Sequence, residues 1–120
     1  MLIMGLSCSF ITKENVLIVR LDGELDHHEA NKLREEWQKH LQGGFIEHII
    51  INVENLTFMD SSGIGVILGR YKEIVQLGGQ MVVCSIQEPI KKIFTMSGLF
   101  KIIQLEPTEK HALLSLGVAS

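Results

Sequence analysis

The stretch Phe58-Met59-Asp60-Ser61-Ser62-Gly63-Ile64-Gly65-Val66 is where this chain concentrates its chemistry. Apolar residues lead into a carboxylate, two hydroxyls and two glycines follow, and a helical pattern then begins. The order reads as a strand–loop–helix junction with the hydroxyls at the mouth of the helix, within reach of another molecule. No general base, metal ligand or phosphate-cradling lysine accompanies them. A serine placed this way is acted upon rather than acting, which points to a phosphorylatable switch in a binding module.

Other constellations fail on spacing. A hydrolytic triad needs a histidine and an acid near Ser61 or Ser62, yet GxSxG is absent and His48 opens a separate strand. Gly63-x-Gly65-x-x-x-Gly69 departs from the dinucleotide fingerprint by one residue, and its glycines lie inside a helix rather than in the turn before it. No GxxxxGK[ST] stretch exists, which excludes a P-loop. Asp26-His27-His28-Glu29 invites a metal, but adjacent helical side chains diverge by about 100°, and no HExxH or CxxC accompanies them. It reads as a charged first helical turn, with a partner contact or a metal as the lesser alternatives. Glu109-Lys110-His111 reads as a solvated face. Neither a metal nor a cofactor is assigned, and no residue is assigned a catalytic role.

Bulk composition narrows the classes. At 120 residues the chain fits one domain, 1–120, and a chain of this size buries roughly two-thirds of its unfolded surface without staples. A composition 46% apolar and 21% charged is that of a globular protein. The formal net charge of −3 offers no basic surplus to neutralise phosphates, so direct nucleic-acid binding is not expected. No window approaches the ~18 uninterrupted apolar residues of a membrane span. Met1-Leu2-Ile3-Met4 lacks the basic residues and length of a signal peptide, although either methionine could be the start. No membrane insertion is expected, and a cytoplasmic location follows. Cys8 and Cys84 each sit in an apolar run and read as small buried hydrophobes, not as a disulfide.

The elements that must position the serines follow from periodicity. Residues 7–12 and 16–21 read as strands joined through Lys13-Glu14-Asn15, a hairpin. Residues 22–26 read as a loop ending in Asp26, a candidate helix cap. A first helix over 27–41 carries Ala30, Leu33, Trp37 and Leu41 at helical spacing and stops at Gly43-Gly44. Residues 48–53 form an apolar, β-branched strand buried on both faces. Residues 54–60 read as a loop with Leu56 and Phe58 tucked inward. A second helix spans Ser61 or Ser62 to Leu77. A strand over 81–86, a helix over 88–96, a short strand over 102–105 and a helix over 108–116 complete the chain. Pro89 and Pro107 sit where a first helical turn tolerates proline. Strands alternate with helices after the hairpin, so the expected fold class is α/β, with a mixed, largely parallel sheet of about five strands packed with about four helices.

The second helix is patterned on two sides. Ile64, Ile67, Leu68, Tyr71, Ile74 and Val75 form a stripe expected to face the sheet. Ser61, Gly65 and Gly69 form another ridge, and each helical glycine costs about 1 kcal/mol relative to alanine. Close packing or a flat exposed strip for another protein would explain them. Ser61 could itself be the helix cap, but Asp60 is an equally good one and would leave Ser61 free. A phosphate there adds charge that the helix end tolerates and Asp60 opposes.

These residues resemble the STAS domain family. The order strand, strand, Gly23-Glu24-Leu25-Asp26, helix, buried strand, Asp60-Ser61-Ser62-Gly63-Ile64-Gly65 is similar to that family's. Residues 23–28, 58–69, the run Met96-Ser97-Gly98-Leu99-Phe100-Lys101-Ile102-Ile103 and Leu116-Gly117-Val118-Ala119-Ser120 resemble its sporulation branch, the anti-sigma F factor antagonists. The resemblance implies a non-enzymatic anti-anti-sigma factor with Ser61, not Ser62, as phosphoacceptor. It implies that the unphosphorylated form binds an ATP- or ADP-loaded anti-sigma factor serine kinase and frees the sporulation sigma factor, and that a serine phosphatase restores this form after phosphorylation. It also implies that residues 23–28 lie beside the serine loop, making Asp26 a secondary contact. Asp60 then positions Ser61, while Ser62, Gly63, Ile64, Gly65 and Gly69 shape the docking strip. Two rival readings are an antagonist of a stress-response anti-sigma kinase and a nucleotide- or small-molecule-binding STAS module. A transporter-linked STAS module is disfavoured on the expectation that the chain is complete and holds no span.

Overall fold

The computed structural model describes residues 5–119. The choice between Met1 and Met4 as the start, and the terminal Ser120, lie outside the described residues. β1 (Leu6–Lys13) and β2 (Val16–Leu25) form the opening hairpin. There follow α1 (His27–Leu41), β3 (His48–Met59), α2 (Ser61–Gln76), β4 (Met81–Cys84), α3 (Glu88–Ser97), a 3-10 turn (Leu99–Lys101), β5 (Gln104–Glu106) and α4 (Glu109–Ser115).

The sheet order is β1-β2-β3-β4-β5, with β1 antiparallel to β2 and the remaining pairs parallel. This is the expected mixed sheet of five strands with four helices. Each parallel strand is laid beside its predecessor, always on the same side. Right-handed crossovers then place α1, α2 and α3 together on one face. The strand alternation agrees. Leu17, Val19, Ile49, Ile51 and Val83 pack with Trp37 of α1, Ile67 of α2 and Phe94 of α3. Val16, Ile18, Ile50, Val82 and Cys84 pack with Ala112 and Leu113 of α4 on the other face. Both cysteines are free, and burial pushes each thiol up to about 11. No helix among the described residues is long and apolar enough to cross a membrane.

Two expected loops are strand. Residues 22–25 and 54–59 extend β2 and β3 to Leu25 and Met59, although Asp22, Gly23, Glu54 and Asn55 are poor strand formers. Their backbones pair with each other across the parallel ladder, which outweighs local preference. Register slips between Arg20 and Asp22 and between Gly23 and Glu24 make this possible. Leu56 pairs with Gly23 and Phe58 with Glu24, so Thr57 is the extra residue of a bulge. The alternation resets there. Leu56 and Met59 stay buried while Phe58, expected inward, is 43% exposed. Pro89 does occupy the first turn of α3, whereas Pro107 precedes Thr108, the cap of α4, and so stands outside that helix.

Candidate functional site

Two strand ends build the site. Leu25 closes β2 and Met59 closes β3, and the two are register partners. Each is followed at once by an aspartate and a helix. Parallel pairing therefore sets the N-termini of α1 and α2 side by side at the carboxyl edge of the sheet, where open α/β sheets receive their ligands.

Asp26 caps α1, accepting from the N–H of His28 at 3.0 Å and of Glu29 at 3.1 Å. Asp60 serves both helices. Its Oδ1 accepts from the Ser62 N–H at 2.9 Å and its Oδ2 from the His27 N–H at 3.1 Å. Its own N–H donates to the Leu25 carbonyl at 3.2 Å. One carboxylate thus caps its own helix and ties it to the first turn of the next. His27 Nδ1 lies 3.8 Å from the same Oδ2. The His27 and His28 rings sit 4.0 Å apart and tilted by 38°, not splayed as a regular helix would leave them.

With Asp60 as cap, Ser61 becomes the exposed first residue of α2. Its hydroxyl makes no hydrogen bond to any described residue, and the positive end of the helix dipole lies beside it. Ser62 is half-buried and gives its backbone N–H to the cap. No imidazole among the described residues bonds to either hydroxyl. His48 is at the far end of β3, where its Nδ1 accepts from the Gln80 N–H at 3.0 Å. Among the described residues, Ser61 therefore presents an unbonded hydroxyl to solvent at the head of α2.

The glycines divide. A Cβ on Gly63 would come within 2.6 Å of Met59 Cγ and 2.8 Å of Leu25 Cγ. Gly63 therefore belongs beneath the junction, packed on the two strand ends, and not in the exposed strip where it was expected. Gly65 and Gly69 are the opposite case, since a Cβ there would meet nothing within 4 Å. Close packing does not account for them. Ile64 is half-buried against the core. The close approach at Gly63 also rotates α2, whose buried face is Gly63, Val66, Ile67, Arg70 and Ile74. Of the stripe read from the sequence, Val75 is out at 43% exposure and Arg70 has come in at 8%.

Gly65 and Gly69 leave an open groove of about 510 Å³ between α1 and α2, with its mouth at His27 and Ser62. Ala30, Asn31 and Arg34 form one wall, and Val66 and Arg70 the other. Reading the sequence missed Arg34 and Arg70 as site residues and left His27 as a minor alternative. The signal is present as matched helical steps, 27-30-31-34 against 62-65-66-69-70. It means something only once the two helices are known to be parallel neighbours.

Known proteins share this fold. The family model for the STAS domain matches residues 8–112, which include both strand–aspartate–helix junctions. The anti-sigma F factor antagonist of Paenibacillus polymyxa is 48% identical over 98% of this chain and 100% of its own length. The solved structure of the anti-sigma factor antagonist SpoIIAA in its unphosphorylated form superposes with a TM-score of 0.73 at 29% identity, covering 94% of this chain and 98% of that one. The Bacillus cell fate determinant SpoIIAA in the phosphorylated form superposes with a TM-score of 0.71 at 32% identity, covering 92% of this chain and 98% of that one. With the sheet order, the paired junctions and the family match in agreement, the chain belongs to the STAS domain family.

Proposed function

We propose that this protein is an anti-anti-sigma factor of the sporulation type, a cytoplasmic binding protein and not an enzyme, switched by phosphorylation of Ser61. The observation that carries the reading is the free, exposed hydroxyl of Ser61 beside a cap already supplied by Asp60. The 48% identity to an anti-sigma F factor antagonist favours the sporulation pathway. The likeness to SpoIIAA, known in unphosphorylated and phosphorylated forms, favours the switch.

In the unphosphorylated state the partner, an anti-sigma factor serine kinase carrying ATP or ADP, lies on the head of α2 and along Gly65 and Gly69, with Asp26 adjacent. Binding releases the sigma factor. Transfer of phosphate to Ser61 adds about −1.5 to −2 charges. The fold accepts them at a helix N-terminus. The interface does not, because a partner seated there would bury an unpaired phosphate. A serine phosphatase resets the switch.

Incubation with the anti-sigma kinase of the same organism and ATP, followed by intact-mass measurement and site mapping, tests this. One phosphate, on Ser61, is expected. No phosphate with a demonstrably active kinase would refute the assignment.

A further inference from the structure

The groove between α1 and α2 carries a charge pattern that the switch alone does not require. Arg70 is 8% exposed, and its Nη1 is enclosed without a hydrogen-bond partner among the described residues. Its Nε donates to Glu73 Oε1 at 3.2 Å, which holds the guanidinium from one side only. A buried cationic donor left unpaired is costly, and chains that keep one usually supply its acceptor from elsewhere. Arg70 lines the groove, and Arg34 stands on the opposite wall with its Nη2 donating to Asn31 Oδ1 at 2.7 Å. Among the described residues no carboxylate lines the groove, although the chain as a whole carries a net charge of −3. The floor at Gly65 and Gly69 has open space above it.

We propose that this groove receives an acidic side chain of the docking protein, with Arg70 as its anchor and Arg34 as its second cation. The inference rests on the anti-sigma partner reading and names the chemistry by which that partner is recognised. The occupant is a protein side chain and not a free anion. The groove runs from Ser62 to Arg70, roughly 12 Å at 1.5 Å per residue, and lies open along its length. An arginine fork suits a carboxylate, and the bare glycine floor lets a partner's backbone come close enough to deliver one. The placement also explains how a phosphate acts. Ser61 immediately precedes Ser62, which lines the groove's mouth, so the phosphate meets an incoming acidic segment with like charge, and like charges facing each other across an interface are strongly disfavoured.

The test measures affinity for the anti-sigma factor by titration calorimetry at low and high salt. Arg70→Ala is expected to weaken binding by about 30-fold or more, as loss of one member of a desolvated charge pair does, and to flatten the salt dependence. Arg34→Ala, at an exposed position, should cost severalfold. Asn31→Asp adds a carboxylate to the wall without adding bulk and should also weaken binding severalfold, most at low salt. Should Arg70→Ala lower the thermal midpoint, the two α1 variants decide. Wild-type affinity in Arg34→Ala and Asn31→Asp would overturn the proposal. So would Arg70-dependent binding of inorganic phosphate by the isolated chain, which would mark a small-anion site. If wild-type protein itself fails to bind the anti-sigma factor, the functional reading falls before the groove is tested.

Discussion

Asp60 and Glu109 each fasten a helix in this molecule, and they do so by different means. Asp60 spends both carboxylate oxygens on backbone N–H groups, one from α2 and one from α1. Glu109, in the first turn of α4, takes side chains instead. Arg20 donates to both of its oxygens at 2.8 Å, and Asn52 donates at 2.7 Å. A carboxylate held by backbone fixes where two helix ends lie and brings no cation to the neighbouring hydroxyl. A carboxylate held by arginine is neutralised and serves as a clasp. The first arrangement is suited to a place where another protein must enter and where charge is to be added later. The second is suited to a face that only has to stay closed.

The contrast is broken hardest at Ser61. Ser61→Asp places a fixed charge where the partner docks and should weaken binding by about 30-fold or more, the effect of an unpaired charge in an interface. Ser61→Ala should bind as wild type and stay active in the presence of kinase and ATP. Fluorescence anisotropy against the anti-sigma factor reads both, and equally tight binding by the two variants would sink the switch. Neither substitution should move the urea midpoint appreciably, because Asp60 holds the cap.

Within α2, two glycines should respond with opposite signs. Gly63→Ala forces a methyl against Met59 and Leu25, and overpacking of this kind costs about 1–3 kcal/mol. Gly65→Ala enters open space, so the helix gains up to about 1 kcal/mol of propensity while the docking surface is roughened. Urea unfolding should separate the two clearly. A shared sign would mean that α2 does not approach the strand ends as described.

Asp60 tests the double cap. Asp60→Ala removes the cap of α2 and leaves the His27 N–H of α1 unpaired, although Asp26 still caps that helix. It should cost about 1–2 kcal/mol, with slower phosphorylation of Ser61 because α1 is no longer tied to the helix mouth. Asp60→Asn has a single acceptor oxygen, so one of the two N–H groups loses its partner. Its deficit should fall between those of wild type and alanine. An asparagine variant as stable as wild type would show that only one of the two bonds matters.

Much of this was legible in the sequence. Asp26 and Asp60 declare themselves as caps by type and position, and α1 falls on the predicted residues 27–41. The alternation of strands and helices gives the sheet. Where the sequence misled, non-local pairing was the cause. Asp22, Gly23, Glu54 and Asn55 are strand because β2 and β3 pair, and the bulge at Thr57 that turns Phe58 outward exists only in that pairing. The rotation of α2 depends on how near Gly63 comes to two strand ends, a distance that no periodicity encodes. Arg70 lies outside the apolar stripe read from the sequence, and that rotation buries it. The groove is the least legible feature, since its walls come from helices 35 residues apart in the chain, as Ser62 is from His27.

The smallest effect is expected at the clasp, and its pH dependence identifies it. The Arg20 guanidinium beside Glu109 holds that carboxyl below its ordinary range, with Asn52 assisting and partial burial opposing. A carboxyl whose folded pKa is lowered contributes stability that is complete above its unfolded value and is lost as pH falls through the folded one. The increment is therefore present at neutral pH and fades only below the usual glutamate value near 4.3. The Arg20 side chain is 49% exposed, so solvent screens the pair and the increment should be at most about 1 kcal/mol. Glu109→Gln should be less stable than wild type by that amount at pH 7, and the gap should narrow below about pH 4 and in concentrated salt. Partner binding should not change, because Glu109 belongs to the α4 face of the sheet and Ser61 to the helix mouths at its carboxyl edge. A Glu109→Gln variant with a pH-independent deficit would mean that packing, not charge, holds α4. One that also lost partner binding would mean that the two fastenings are coupled through β2 and β3, the strands that carry Arg20, Asn52 and both strand–aspartate junctions.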